Sequence, residues 1–139
     1  MAEACTCGLV GYTLGTVPGA SKFFPGGVVA YTGGLKQRVL GVSDEIYNTK
    51  GSVSSEVAIA MARGVRELVG TDFALSTTGV TGPAAGRSGL PVGTFYVGLS
   101  VKDGEDTAVE IHVSGDRDAT KHGATQAAID LLGRHLTGG

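Results

Sequence analysis

Several features are scarce or absent in this 139-residue chain, and each absence narrows its possible roles. No apolar run approaches the roughly 18 residues that a membrane-spanning helix needs, and no secretory signal peptide is evident. An excess of either charge is also lacking, because the net charge is only −2. A chain that is neither basic nor strongly acidic gives no reason to expect nucleic acid or an anionic membrane as a partner.

Cysteine is nearly absent, since Cys5 and Cys7 are the only two. They lie too close together for an easy disulfide, and with no other cysteine and no secretion signal they favour a reducing cytoplasm. A metal site is not predicted, because Cys5-Thr6-Cys7 lacks a second Cys or His pair at ligand spacing. The three histidines are scattered along the chain: His112, His122 and His135. No metal or other cofactor is expected.

Glycine, by contrast, is abundant at 24 residues, which predicts many tight turns and close backbone approaches. Hydrophobic residues make up 42% of the chain and charged residues 17%, a composition typical of one globular domain over residues 1–139. Predicted helices alternate with strands in the first half, and a β-hairpin followed by a helix closes the second half. This order favours the α/β class, as a three-layer α/β/α sandwich with a mixed β-sheet.

Apolar periodicity and turn residues give the element boundaries. Strands are predicted within 26–32 and at 72–76, 93–101 and 108–113. Helices are predicted at 8–17, 35–40, 54–69 and from 115 onward, with a further helical turn beginning at 43–45. Thr6 is a candidate N-cap of the first helix, and residues 133–139 are expected to fray. Val109 is expected to face inward from the last strand.

The stretch from Ala74 to Tyr96 is the first place to expect a site. A short buried strand breaks into small hydroxyl residues and glycines from Thr77 to Pro83, and the loop continues past Arg87. Such residues at the end of a strand leave backbone N–H groups open to a ligand, although a surface hairpin loop without a ligand is the alternative. A phosphate-binding P-loop is excluded, because Thr81 stands where its first glycine belongs and Arg87 where its lysine belongs.

Candidate catalytic side chains lie beside predicted turns: Ser21, Tyr31 and Lys36. A lysine desolvated near a tyrosine loses its proton more easily, and such a base activates a serine for acyl transfer. The sequence alone does not bring the three together, so a solvated Lys36 and a core Tyr31 stay open. Cys5 is the alternative nucleophile, because the N-terminus of the helix that follows it lowers a thiol pKa. A buried, inert Cys5 is the other interpretation.

Arg117 begins the last predicted helix, where backbone N–H groups are free. A guanidinium beside a helix N-terminus suits a phosphate group. The alternative is a surface ion pair of Arg117 with Asp116 or Asp118, and the sequence does not decide between the two.

Seven short motifs occur in an order and spacing that resemble one known family. They are Ala2-Glu3-Ala4-Cys5-Thr6, Pro18-Gly19-Ala20-Ser21, Gly27-Val28-Val29-Ala30-Tyr31 with Lys36, Gly51-Ser52-Val53-Ser54, Thr78-Gly79-Val80-Thr81-Gly82-Pro83, Pro91-Val92-Gly93-Thr94 and Gly115-Asp116-Arg117-Asp118. Together they span nearly the whole chain. They resemble the C-terminal domain of the competence/damage-inducible protein CinA, a family that includes stand-alone nicotinamide-nucleotide amidases.

The resemblance implies an activity, namely hydrolysis of the carboxamide of nicotinamide mononucleotide (NMN) to nicotinate mononucleotide and ammonia in pyridine-nucleotide salvage. No cofactor is implied, and the implied partners are the small-molecule nucleotide and a second copy in a homodimer. In such a site Ser21 would attack while Tyr31 and Lys36 manage protons. Thr78, with the open N–H groups from Gly79 to Gly82, would bind the oxyanion or the ribose and phosphate, and Arg117 would neutralise the phosphate.

The chain also departs from this family. The family usually has serine where this chain has Ala4, glycine where it has Cys7, and Asn-Glu where it has Gly33-Gly34. These changes motivate the alternative function, a non-catalytic nucleotide-binding or interaction module. Family members also have a helix and most of a strand ahead of the position of Met1. We therefore expect an open slot or unpaired edge in the sheet, and self-association through it.

Overall fold

A five-stranded mixed sheet forms the middle layer of the computed structural model, which describes all 139 residues. The strands are β1 (Ala2–Glu3), β2 (Val28–Val29), β3 (Phe73–Gly79), β4 (Thr94–Val101) and β5 (Thr107–His112), in the order β2-β1-β3-β4-β5. β1 pairs in parallel with β2 and β3, whereas the β3–β4 and β4–β5 pairs are antiparallel. The predicted α/β class with a mixed sheet is confirmed.

Helices cover both faces of this sheet. They are α1 (Leu9–Gly15), α2 (Gly33–Arg38), α3 (Asp44–Lys50), α4 (Ser55–Val69) and α5 (Arg117–Thr137), with a 3₁₀ turn at Ala20–Lys22. On one face α4 buries Val57, Met61 and Val65 against the sheet, with α2 and α3 beside it. On the other face α1 and α5 pack over Val97 and Leu99 of β4. Burying each such side chain stabilises the fold by about 1.5–3 kcal/mol, so two apolar layers hold the sandwich together.

Several elements differ in extent from the sequence-based prediction. β3 continues past the predicted end at 76, because Thr77, Thr78 and Gly79 keep their ladder with β4. β2 keeps only two residues of the predicted 26–32 strand. α5 continues through the stretch expected to fray and is capped at Gly138. Val109, expected inward, is 38% exposed, because β5 is the edge strand of the sheet.

The N-terminus of α1 also differs from the prediction. Thr6 is not the N-cap, since its hydroxyl donates to Glu3 Oε1 at 2.6 Å. The buried Glu3 carboxylate itself accepts the first free helix amides, from Val10 N–H at 2.8 Å and Gly11 N–H at 3.0 Å. A carboxylate at a helix N-terminus satisfies N–H groups that have no partner within the helix. One side chain of β1 therefore connects this interior strand to α1.

β1 is an interior strand of the sheet, between β2 and β3, but is only two residues long. A cavity of about 610 Å³ lies ahead of it, lined by Met1 and by the first half of β3. The open slot in the sheet and self-association through it both stay predictions. No helix of the chain is both long and apolar enough to cross a bilayer.

Candidate active site

The candidate site lies where the carboxyl ends of the parallel strands meet. Residues that follow parallel strands gather at one edge of a sheet, which is where α/β proteins bind ligands. Here Ala4 and Cys5 follow β1, Tyr31 follows β2, and Thr78 and Gly79 end β3. They surround a cavity of about 270 Å³. Its other lining residues are Lys36, Ser52, Val53, 80–82, 84–88 and Arg117.

Lys36 is the buried cation of the site. It lies in α2, its residue surface is only 4% exposed, and it takes part in none of the salt bridges of the chain. Burial lowers the pKa of its ammonium, and the nearby Cys5 works in the opposite direction. The solvated alternative for Lys36 is therefore wrong. A desolvated ammonium without a carboxylate partner is suited either to bind an anion or to give up its proton.

Arg117 is held at the mouth of the cavity by the loop that follows β3. Its Nη1 donates to the Thr81 hydroxyl and to the Gly82 carbonyl oxygen, the latter at 2.7 Å. Its Nη2 donates to the Tyr31 hydroxyl at 2.8 Å. Neither neighbouring aspartate pairs with it, because Asp116 caps the Ala119 N–H and Asp118 lies beside His122. The surface ion pair considered for Arg117 is therefore wrong.

The charge of this cavity has one sign. Its lining includes three cationic side chains, Lys36, Arg87 and Arg117, and no aspartate or glutamate. A cleft lined by positive charge without a compensating carboxylate attracts an anion. The electrostatics therefore favour a negatively charged ligand.

The loop that follows β3 contributes fewer free amides than the sequence predicted. The Val80 N–H donates to the Thr94 carbonyl at 2.9 Å, so it is used by the sheet and is not open to a ligand. Gly82 contacts Arg117 through its carbonyl oxygen, with a left-handed φ of 82°. The Thr78 hydroxyl donates to the Ser52 carbonyl at 2.7 Å and retains only its acceptor capacity. Thr78, Gly79 and Gly82 nonetheless line the cavity.

Cys5 also lines the cavity, but burial governs its chemistry. Burial raises the pKa of its thiol to about 11, against the opposing effect of Lys36 and, more weakly, of Lys121 and Arg117. The expectation that the following helix would lower this pKa is wrong, because desolvation outweighs the nearby charges. The thiolate is the nucleophilic form, so very little of the reactive species is present at neutral pH.

Ser21 is not brought to this site. It is exposed on the 3₁₀ turn ahead of β2 and is not among the residues that line the cavity. Tyr31 and Lys36 come after β2, so the parallel direction of the strand places Ser21 at the opposite edge of the sheet. The structure therefore unites Tyr31, Lys36, Thr78, Gly79, Gly82 and Arg117 with Cys5, but leaves Ser21 apart from the base that was proposed for it.

Sequence reasoning missed several lining residues. Ala4 was noted only as a departure, yet it is 3% exposed and lines the cavity directly after β1. Ser52 and Val53 join the lining from the turn ahead of α4, and Ser52 accepts the Thr78 hydroxyl. The Gly51-Ser52 motif was the only signal for them. Nothing in the sequence pairs that turn with the end of β3.

The comparisons with known proteins place this architecture in one family. The profile of the CinA C-terminal domain matches residues 1–136. The chain belongs to the CinA C-terminal domain family. A CinA-like protein of Dictyoglomus thermophilum is 46% identical over 98% of the chain, and a putative competence-damage inducible protein of Halothermothrix orenii is 43% identical over 98%.

Solved CinA-family structures agree with the fold described above. The competence damage-inducible protein A of Klebsiella pneumoniae superposes with a TM-score of 0.93 at 28% identity, covering 98% of this chain and 84% of that one. A CinA-superfamily protein of Escherichia coli gives 0.90 at 31% identity, covering 94% and 76%. The chain spans only about a third (33%) of the length of the curated relatives named above. Their names state no chemical activity.

Proposed function

We propose that this CinA-family domain binds a phosphorylated pyridine nucleotide such as NMN without hydrolysing it. The observation that carries the proposal is a cation-lined cavity that has Ala4 where the family usually has serine. Lys36 is buried without a counter-ion, and Arg117 is fixed in place by three acceptors. These two cations supply charge for a phosphate, whereas the position beside Cys5 offers only a methyl group.

The choice of a carboxamide-bearing nucleotide rests on the family resemblance, and the choice of binding over turnover rests on geometry. Amide hydrolysis needs a nucleophile within hydrogen-bond reach of a base, together with donors for the oxyanion. Ser21 lies outside the cavity, and the Thr78 hydroxyl proton is already committed to Ser52. Of the two nucleophiles predicted from the sequence, Ser21 and Cys5, only Cys5 lines the cavity together with Lys36.

The test is a pair of measurements on the purified chain. Calorimetry with NMN is expected to show saturable binding, and an enzymatic ammonia assay is expected to show no release. Arg117→Ala should weaken binding at least ten-fold. Arg134→Ala, which removes an exposed arginine far along the same helix, is the matched control and should not change it. Absence of NMN binding to the folded protein would overturn the proposal.

Ala4→Ser is the variant that tests most directly why the domain is proposed to bind NMN without hydrolysing it. It restores a hydroxyl at the position where the family usually has serine, inside the cavity that contains Lys36. Ammonia release by this variant and not by the parent chain is the expected result. Release by the parent chain would instead show that the amidase activity is present.

Nicotinamide-nucleotide amidase with Cys5 as nucleophile is the second candidate. It is favoured by the mutual electrostatic effect of Cys5 and Lys36, each of which opposes the effect of burial on the other's pKa. Neutral Lys36 would take the thiol proton, and the thiolate would attack the carboxamide carbon. The Lys36 ammonium would then return that proton to the amide nitrogen as the C–N bond breaks, which releases ammonia and leaves a thioester. Water would then hydrolyse the thioester to the carboxylate. On this mechanism the parent chain releases ammonia and Cys5→Ala abolishes the release, whereas on the first proposal neither protein releases any.

A further inference from the structure

The cations that line the candidate cavity lie at two depths. Lys36 is only 4% exposed, whereas Arg87 and Arg117 are exposed residues. Arg117 also donates to the Tyr31 hydroxyl, and Tyr31 is 50% exposed. The cavity therefore presents guanidinium groups at its mouth and a single ammonium in its interior.

No acidic side chain compensates the charge of Lys36. Its ammonium forms none of the salt bridges of the chain, and no hydrogen bond contributes to its pKa. The sequence of α2, Gly-Gly-Leu-Lys-Gln-Arg, contains no acidic residue either. Because every fully buried polar side-chain atom of the chain has a hydrogen-bond partner, an ammonium without one is accessible, and Lys36 lines the cavity.

Cys5 does not act as the missing counter-ion. Its charge would favour the Lys36 ammonium, but a thiol with a pKa of about 11 is neutral at pH 7. Ala4, which precedes it in the lining, adds only a methyl group. A buried ammonium carries a desolvation cost that a paired anion offsets. The interior of the cavity is therefore suited to an anionic group of the ligand.

Arg117 is equipped for a separate anionic group at the mouth. Its contacts with Thr81, Gly82 and Tyr31 use some of its N–H donors and hold the guanidinium in place. The remaining N–H donors are available to a phosphate, which a guanidinium recognises well. A phosphate bound there also benefits from the positive field of Lys36, but it leaves that ammonium without a partner in direct contact.

We propose that the ligand of this cavity carries two anionic groups, a phosphate bound by Arg117 and a carboxylate bound by Lys36. The site then selects the acid form of a pyridine nucleotide over the amide form. This inference rests on the proposed function, because it specifies the ligand of the same cavity.

Nicotinate mononucleotide (NaMN) and NMN are the matched pair of ligands. They differ only in a carboxylate that replaces the carboxamide, and both carry the phosphate. The carboxylate accepts charge-assisted hydrogen bonds from an ammonium, which are stronger than those that a neutral amide accepts. The amide nitrogen is a donor and offers Lys36 nothing. The difference in affinity between the two ligands therefore isolates the contact with the buried cation.

Calorimetry of both ligands with the full chain at pH 7.5 tests the selectivity. NaMN is expected to bind at least ten-fold more tightly than NMN. Lys36→Met keeps the apolar stem and removes the ammonium, so the ratio of the two affinities should fall to near one. Arg117→Ala should weaken both ligands by a similar factor and preserve the ratio. Circular dichroism checks that the variants are folded.

The outcomes separate this inference from the proposed function. NMN that binds the parent chain as tightly as NaMN, or more tightly, would overturn the inference and leave the proposed function standing, and this comparison needs no variant. A preference for NaMN that survives in folded Lys36→Met would overturn the assignment of the carboxylate to Lys36. No binding of either ligand would overturn the proposed function, and this inference with it.

Discussion

The guanidinium of Arg117 donates a hydrogen bond to the Tyr31 hydroxyl at 2.8 Å, which joins the start of α5 to the segment that follows β2. Tyr31 is 50% exposed, so it is a surface residue at the cavity mouth and not the core residue considered from the sequence. It supplies one of the three acceptors around that guanidinium, and we therefore propose that it positions Arg117.

Tyr31→Phe tests this positioning role. The variant keeps the ring and removes the acceptor, so Arg117 loses one hydrogen bond. We expect NMN to bind roughly five-fold more weakly, which corresponds to about 1 kcal/mol. Calorimetry measures the change, and Tyr12→Phe, at a tyrosine that is 72% exposed outside the cavity, is the control. Equal affinity of the two variants would argue against the positioning role.

The pH dependence of NMN affinity is expected to reflect the ionisation of Lys36. Because burial lowers the pKa of Lys36, its ammonium loses its charge at a pH below the ordinary lysine value of 10.5. Affinity for an anionic ligand should therefore fall as the pH rises through that lowered pKa, and Lys36→Met should remove this dependence. Calorimetry is best started above pH 7, since a phosphate group itself titrates near pH 6. A parent profile that stays flat up to pH 10 would contradict the assignment.

The two cysteines are expected to differ strongly in reactivity. Cys7 is exposed, whereas Cys5 is buried and has a thiol pKa of about 11. Iodoacetamide at pH 8 should therefore modify Cys7 first and Cys5 far more slowly, because only the thiolate reacts. Mass spectrometry of the digested protein locates the label. Rapid labelling of Cys5 in folded protein would show an activated thiol and favour the second candidate function.

The buried carboxylate of Glu3 is expected to stabilise the fold through α1. Glu3→Gln replaces one acceptor oxygen by an amide that donates, and this leaves the Gly11 N–H or the Val10 N–H facing a donor. A loss of about 1–3 kcal/mol in the free energy of unfolding is expected. Denaturant unfolding measures it, with the exposed Glu105→Gln as the control. Equal stabilities would mean that water replaces the carboxylate at no cost.

Adjacent glycines at the start of α2 provide a matched pair. A Cβ at Gly33 would lie 2.2 Å from the Tyr47 hydroxyl, whereas a Cβ at Gly34 would meet nothing within 4 Å. Gly33→Ala should therefore lower the melting temperature or displace Tyr47. Gly34→Ala should raise stability by up to about 1 kcal/mol through helix propensity. Thermal unfolding by calorimetry separates the two, and the same sign for both would contradict this packing.

The sequence determined most of the secondary structure because the signals for it are local. The helix predicted at 54–69 begins with the Ser54 hydroxyl accepting the Val57 N–H, a signal within a few residues of the helix end that it specifies. The family is a different case, because its motifs are spread along nearly the whole chain. The resemblance to that family, and no local pattern, assigned Tyr31, Lys36, Thr78 and Arg117 to one site.

Only the tertiary structure decided which of the candidate site residues lie together. The chain direction of β2 separates Ser21 from Lys36, and burial reverses the expected effect on the Cys5 thiol. Two further features depend on strands that pair across the chain, namely the position of Ala4 in the cavity and the bonds from Glu3 to α1. Strand order, desolvation and long-range hydrogen bonds are properties of the packed sheet, so no local pattern of residues encodes them.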